Sequence, residues 1–139
     1  MKKIFLVLII FIIGGCSTFN NREQFRLENR QALTKIGMGM TKEEVNSVMG
    51  TQTATDKIFV GLMNGGHITK TVNNPYRTET LQGKDKVFEV YYYYTDVKNQ
   101  DDAITDDELT PIIFDEGKVI GWGWSFLETN ANKYEIRLR

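Results

Sequence analysis

Residues Val87–Thr95 read VFEVYYYYT, and this stretch decides the fold. It holds no Gly or Pro, and Val and aromatic side chains dominate it, as in a half-buried strand. Strand side chains alternate between faces. Phe88, Val90, Tyr92 and Tyr94 therefore share one face, and Val87, Glu89, Tyr91 and Tyr93 the other. Glu89 marks the second face as the wetter one, so the first is assigned to the core. Four consecutive tyrosines suit a sheet in which rings pack and hydroxyls reach water.

Toward the C terminus, Asp96–Glu108 reads as an acidic loop. Thr110–Phe114 and Lys118–Phe126 read as strands joined by Asp115-Glu116-Gly117, with Gly117 at the positive-φ position of a tight turn. In the second strand Ile120, Trp122, Trp124 and Phe126 share a face, while Gly121 and Gly123 leave the other open to close approach. Asn130–Asn132 reads as a turn and Lys133–Arg139 as a final edge strand with a charged outer face. Toward the N terminus, Asn73–Asp85 reads as a loop over the sheet, and Lys57–Val72 as a hairpin around Asn64-Gly65-Gly66. Thr41-Lys42-Glu43-Glu44 is a capping box that starts a short helix with Val45, Val48 and Met49 inward and Gly50 at its C-terminal cap. Gln24–Ile36 reads as a preceding helix, with Leu27, Ala32, Leu33 and Ile36 inward and Gly37 and Gly39 ending it. The fold class is α+β: two N-terminal helices packed on one face of an antiparallel sheet of three to five strands, in one domain over residues 24–139.

The first residues give an address. Met1-Lys2-Lys3 is basic, Ile4–Ile13 is unbroken apolar sequence, and Gly14-Gly15-Cys16 adds small residues and the single cysteine. At about 1.5 Å per residue this run is too short a helix to cross about 30 Å of hydrocarbon. Residues 1–15 therefore read as a signal peptide, and residues 16–23 as the cysteine and a polar tether. Ile13-Gly14-Gly15-Cys16 resembles the bacterial lipobox. The resemblance implies lipidation of the Cys16 thiol, cleavage before Cys16 and acylation of the new amino terminus with chains such as palmitate. Several acyl chains hold a protein stably on a bilayer where one does not. In two-membrane bacteria an Asp after the cysteine resembles an inner-membrane retention signal; with Ser17 there, the same resemblance implies an outer-membrane anchor facing the periplasm.

Composition narrows the functions. The chain has 139 residues, 17 Lys and Arg, 18 Asp and Glu, and a formal charge of −1. That balance gives no electrostatic footprint for nucleic acid. One Cys and one His exclude an internal disulfide and a zinc site of the usual His/Cys type.

The run Gly39-Met40-Thr41-Lys42…Val45…Met49-Gly50, followed later by Thr110-Pro-Ile-Ile-Phe…Gly117-Lys-Val-Ile-Gly-Trp122-Gly, resembles the SmpA/OmlA (BamE-like) lipoproteins of bacteria. The stretch from Asn74-Pro75-Tyr76-Arg77 to Asp107-Glu108 is longer than in BamE proper and points to a separate subfamily. The resemblance implies two helices against an antiparallel sheet, as in β-lactamase-inhibitor-protein domains. It also implies no enzymatic activity and no cofactor, and binding to other envelope proteins, among them the outer-membrane assembly machinery.

Tests for chemistry return little. Asp96, Asp101, Asp102, Asp106, Asp107 and Glu108 could offer oxygen ligands to Ca²⁺, but the EF-hand spacing is absent and a solvated loop is the simpler reading. His67 has neither a motif-borne nucleophile nor an orienting group; Ser47 and Ser125 stand without motifs. No catalytic and no metal-binding residue is assigned. Candidate partner-binding residues are Tyr76 and Arg77, an aromatic–Arg pair on a loop, with Tyr91, Tyr93 and Trp122. Arg77 equally suits an internal ion pair with Glu79 or Glu89. The leading expectation is a non-catalytic envelope lipoprotein that binds proteins and assists outer-membrane protein assembly or envelope integrity. The alternative is a periplasmic inhibitor or ligand-binding module, holding an enzyme surface or cell-wall fragment on a concave face lined by Tyr91, Tyr93 and Arg77.

Overall fold

The structure is a computed structural model that describes residues 21–60, 65–99, 101 and 103–136. The leader, Cys16, most of the tether, Asn64 of the expected turn and Arg137–Arg139 lie outside the described residues. The element order is α1 (Asn21–Leu33), α2 (Lys42–Met49), β1 (Thr53–Val60), β2 (Gly66–Asn73), β3 (Arg77–Gln82), β4 (Val87–Tyr94), β5 (Leu109–Asp115), β6 (Lys118–Trp122) and α3 (Trp124–Lys133). A single 3₁₀ turn at Asp106–Glu108 precedes β5. The fold is α+β: β1 and β2 form a separate antiparallel hairpin, and the main antiparallel sheet has the order β3-β4-β5-β6.

β4 lies inside that sheet, and Phe88, Val90, Tyr92 and Tyr94 enter the main core as the alternation predicts. Phe25 of α1 and Leu127 and Ala131 of α3 join the same cluster. The opposite face is covered too. Tyr93 packs there with Ile36, Ile112, Phe114, Val119, and Val45 and Met49 of α2. Helices therefore cover both faces, not one. Glu89 misleads because it ends in an ion pair: both its carboxylate oxygens accept from Lys42 Nζ, at 2.8 and 3.0 Å.

The capping box closes as read. Thr41 Oγ1 accepts from the Glu44 amide at 3.3 Å, and Glu44 Oε2 accepts from the Thr41 amide at 2.8 Å. Gly50 has the expected positive φ of 75°, but its ψ of 165° is extended, so the chain leaves α2 directly toward β1. α1 starts at Asn21, three residues earlier than expected, and ends at Leu33. Its buried positions include Phe25 and Asn29, whereas Leu27 is exposed. A buried Asn in the inward stripe hides the helical period from a hydrophobicity reading.

Three further expectations are corrected. Asn73–Asp85 is not a loop throughout; Arg77–Gln82 forms edge strand β3, paired to β4 from Arg77↔Tyr92 to Gln82↔Val87. Its polar sequence shows one buried side chain, Leu81, which is too little for a pattern. The strand expected through Phe126 stops at Trp122, where Gly123 turns the chain at φ 86°. Leu127 N–H then donates to Gly123 O at 3.1 Å, and Leu127 and Ala131 bury one helical face. Third, Asn130–Asn132 is helical, and Tyr134 and Glu135 form a turn in place of the start of an edge strand. The β5–β6 turn holds both Glu116 and Gly117 at positive φ, 50° and 76°, the hairpin geometry that matches strand twist.

Candidate functional site

The two edges of the main sheet differ. At β6 the Met38–Thr41 segment lies alongside: Gly39 N–H donates to Val119 O and Val119 N–H to Met40 O, both at 2.8 Å. β3 has no strand on its outer side among the described residues. A cleft of about 1080 Å³ runs along it, with Leu81, Tyr92 and Trp124 as apolar lining and Arg77, Glu79, Lys84, Asp106 and Glu135 as charged lining.

Arg77 organises one end. Its guanidinium carbon lies 4.1 Å from the centroid of the Tyr92 ring. Nη1 donates to Asp106 Oδ1 at 2.5 Å, and Nε lies 3.5 Å from Glu79 Oε1. Tyr92 Oη donates to Glu79 Oε2 at 2.9 Å. Strand alternation places Arg77, Glu79 and Leu81 on the α3 face of the sheet, above Tyr92 and beside Trp124. Burial, followed by the hydrogen bond to Glu79, pushes the Tyr92 phenol up to about 12. Burial opposes the Arg77 charge, and hydrogen bonds to Asp106 and Tyr92 outweigh it, so the Arg77 pKa is raised. At the other end Lys84 Nζ faces Glu135 Oε1 at 3.8 Å, and Trp124 Nε1 is held to Leu109 O at 2.8 Å.

The residues singled out from the sequence do not gather into one site. Arg77 lines the cleft and makes the expected ion pair with Glu79, while Glu89 belongs to Lys42. Tyr76 packs half-buried against the main core, with its amide donating to Tyr92 O at 2.7 Å. Tyr91 is half-buried on the opposite face, its ring 4.9 Å from that of Phe114. Tyr93 is 0 % exposed and its hydroxyl has no hydrogen-bond partner, so it is core, not a binding residue. A concave face lined jointly by Tyr91, Tyr93 and Arg77 therefore does not exist. Trp122 is 40 % exposed on β6, at the far edge of the sheet. Of the cleft residues, Glu79 is one of the two ion-pair partners the sequence offers for Arg77; Asp106 carries only its place in the acidic loop and Trp124 only its strand alternation, and no local signal points to Lys84 or Glu135.

The acidic loop is internally committed. Glu108 is 1 % exposed, and its carboxylate accepts from the amides of Lys98 at 2.7 Å, Thr105 at 3.3 Å and Asn99 at 3.4 Å. Asp106 holds Arg77, and Asp96 holds Lys98 at 2.6 Å. Among the described residues no group of three or more His, Cys, Asp or Glu is placed to hold a metal ion. His67, Ser47 and Ser125 stand on β2, α2 and α3, all exposed. Among the described residues no helix is long and apolar enough to cross a membrane. Cys16 lies outside them.

No curated protein and no solved structure matches the chain. Residues 8–129 match a family model described as "Protein of unknown function (DUF3192)", a span that includes Cys16 and every strand, and the chain belongs to that family.

Proposed function

We propose that this protein is a non-catalytic lipoprotein of the bacterial cell envelope, anchored through acylated Cys16 on the periplasmic side of the outer membrane, with an α+β domain that binds other envelope proteins. The observation that carries the binding reading is the cleft along β3, an edge with no strand partner among the described residues, bounded by the Arg77–Asp106 and Lys84–Glu135 pairs. Its lining offers apolar floor and fixed charge together, as protein contact surfaces do. The anchoring reading is supported by the ordered n-region, apolar run and Gly14-Gly15-Cys16, which fall partly within the span that matches the family model. Two helices ahead of an antiparallel sheet support the SmpA/OmlA likeness, with α3 and the β1–β2 hairpin as additions.

Two measurements test this. Cells fed an alkyne fatty acid should label the native protein and not Cys16→Ser, which should accumulate unprocessed. A photo-crosslinking residue in place of Lys84 should capture an envelope protein, and one in place of exposed Glu43 on α2 should not. Normal processing of Cys16→Ser refutes the anchor, and equal capture from both positions refutes the cleft.

A further inference from the structure

The hydrogen-bond phase of β3 can be read directly. Gly83 N–H donates to Lys86 O at 2.8 Å, which continues the β3–β4 register. Backbone groups alternate direction along an antiparallel strand. Gly83, Leu81, Glu79 and Arg77 therefore bond toward β4, and Thr78, Thr80, Gln82 and Lys84 present N–H and C=O outward. The last of these amides is already taken: Lys84 N–H donates to Tyr134 O at 3.0 Å. A backbone carbonyl thus sits where the first residue of a neighbouring strand would stand. Beyond it, Thr80 and Gln82 line the cleft and Thr78 continues the same edge, all three without a strand partner among the described residues.

Native sheets cover, shorten or charge such edges. Here β6 is covered by Gly39–Thr41, and β3 is left with a cleft instead. An extended segment laid along β3 would put alternate side chains over Leu81 and Trp124 and the others into solvent. Three carboxylates (Glu79, Asp106, Glu135) line the cleft against two cations, and Arg77 is already held by Asp106 and Glu79. The surplus is acidic.

We infer that β3 is an acceptor edge: an extended segment of a partner protein, alternating apolar and basic or neutral side chains, adds to it as a fifth strand. This rests on the protein-binding reading and specifies its mode. Main-chain hydrogen bonds to Thr78, Thr80 and Gln82 supply affinity, and the Leu81–Trp124 floor supplies selection.

The test pans a phage library of linear dodecapeptides against the mature full-length protein in nanodiscs and measures the enriched peptides with purified protein. The expected result is slowed amide exchange at Thr78, Thr80 and Gln82 on peptide addition. Thr80→Pro, which removes an outward N–H from an exposed position, should weaken binding by about tenfold or more; Glu43→Gln, on exposed α2 away from this edge, should leave it unchanged. Should Thr80→Pro unfold, the exchange pattern decides alone. Protection elsewhere, or no enriched linear peptide, overturns the inference; if capture from position 84 persists, the protein-binding reading survives without strand addition. Concentration-dependent protection of β3 without peptide assigns the edge to a second copy and overturns it. Exposure of β3 on deletion of Arg137–Arg139 assigns the edge to the chain's own terminus and overturns it as well.

Discussion

The side chains of Asn29 and Asn74 form a closed amide pair: Asn29 Nδ2 donates to Asn74 Oδ1 at 3.0 Å, and Asn74 Nδ2 donates back to Asn29 Oδ1 at 2.6 Å. Asn29 Nδ2 also donates to Tyr94 O at 2.9 Å, and Asn74 Nδ2 to Met49 O at 2.8 Å. Both residues are buried. One polar cluster thereby joins α1, the end of α2, the end of β4 and the segment that delivers β3.

Asn29→Ala should therefore cost more than an ordinary surface change. It leaves Asn74 Oδ1 and Tyr94 O buried without that donor, a loss of about 2–4 kcal/mol. Asn74→Ala should cost a similar amount. The double variant should cost less than the two together, because each single change already strands the other amide. Urea unfolding followed by circular dichroism measures all three. Strict additivity would show that the pair is not coupled.

Gly121 and Phe126 make the second prediction. A Cβ at Gly121 would lie 2.5 Å from Phe126 Cζ, closer than real contacts allow. Gly121→Ala should destabilise the protein by about 1–3 kcal/mol through overpacking. Adding Phe126→Leu should recover part of that loss, although Phe126→Leu alone is destabilising. A neutral Gly121→Ala would mean that the ring does not rest on the glycine.

Arg77 tests the cleft's own construction. Arg77→Lys keeps the charge but loses the planar group stacked on Tyr92 and the fork between Asp106 and Glu79. About 1–2 kcal/mol should be lost, and Arg77→Ala should lose at least as much, since it leaves Glu79 and Asp106 without their shared cation. Thermal unfolding reads both. A lysine variant as stable as the parent would reduce Arg77 to a solvated surface charge.

The parts of this fold that were legible in the sequence are those with local chemistry. Thr41 and Glu44 announce the start of α2, Gly117 the β5–β6 turn, and Phe88, Val90, Tyr92 and Tyr94 a core face. The parts that were not legible depend on distant partners. Tyr93 is core because α2 covers its face, which no local pattern states. Trp124 and Phe126 continue the alternation of Ile120 and Trp122 and equally suit a helix with Leu127; Gly123 decides between the two, and a glycine alone does not say which way the chain turns. β3 is polar because it is an edge, so the strand that shapes the cleft carries the weakest strand signal in the chain. Arg77 was recoverable as an aromatic–Arg pair, but its partners Tyr92 and Asp106 stand 15 and 29 residues away and meet it only through the sheet register and the 3₁₀ turn.

Alkaline titration makes the last prediction. Burial pushes the phenols of Tyr92, Tyr93 and Tyr94 above the ordinary 10.0; Tyr92, also donating to Glu79, reaches about 12. A phenol with a raised folded pKa contributes stability that is fully present below its unfolded pKa, near pH 10, and that disappears as pH rises through the folded value. Stability should therefore fall between about pH 10 and pH 12, and these three of the six tyrosines should ionise together with the loss of the circular dichroism signal. Tyr93→Phe separates the contributions. Its hydroxyl is buried with no hydrogen-bond partner, so removing it should raise stability at neutral pH by about 1 kcal/mol and delete one of the late-ionising groups. Tyr92, Tyr93 and Tyr94 ionising near pH 10 with the fold intact would place these rings in water and contradict the packing of β4.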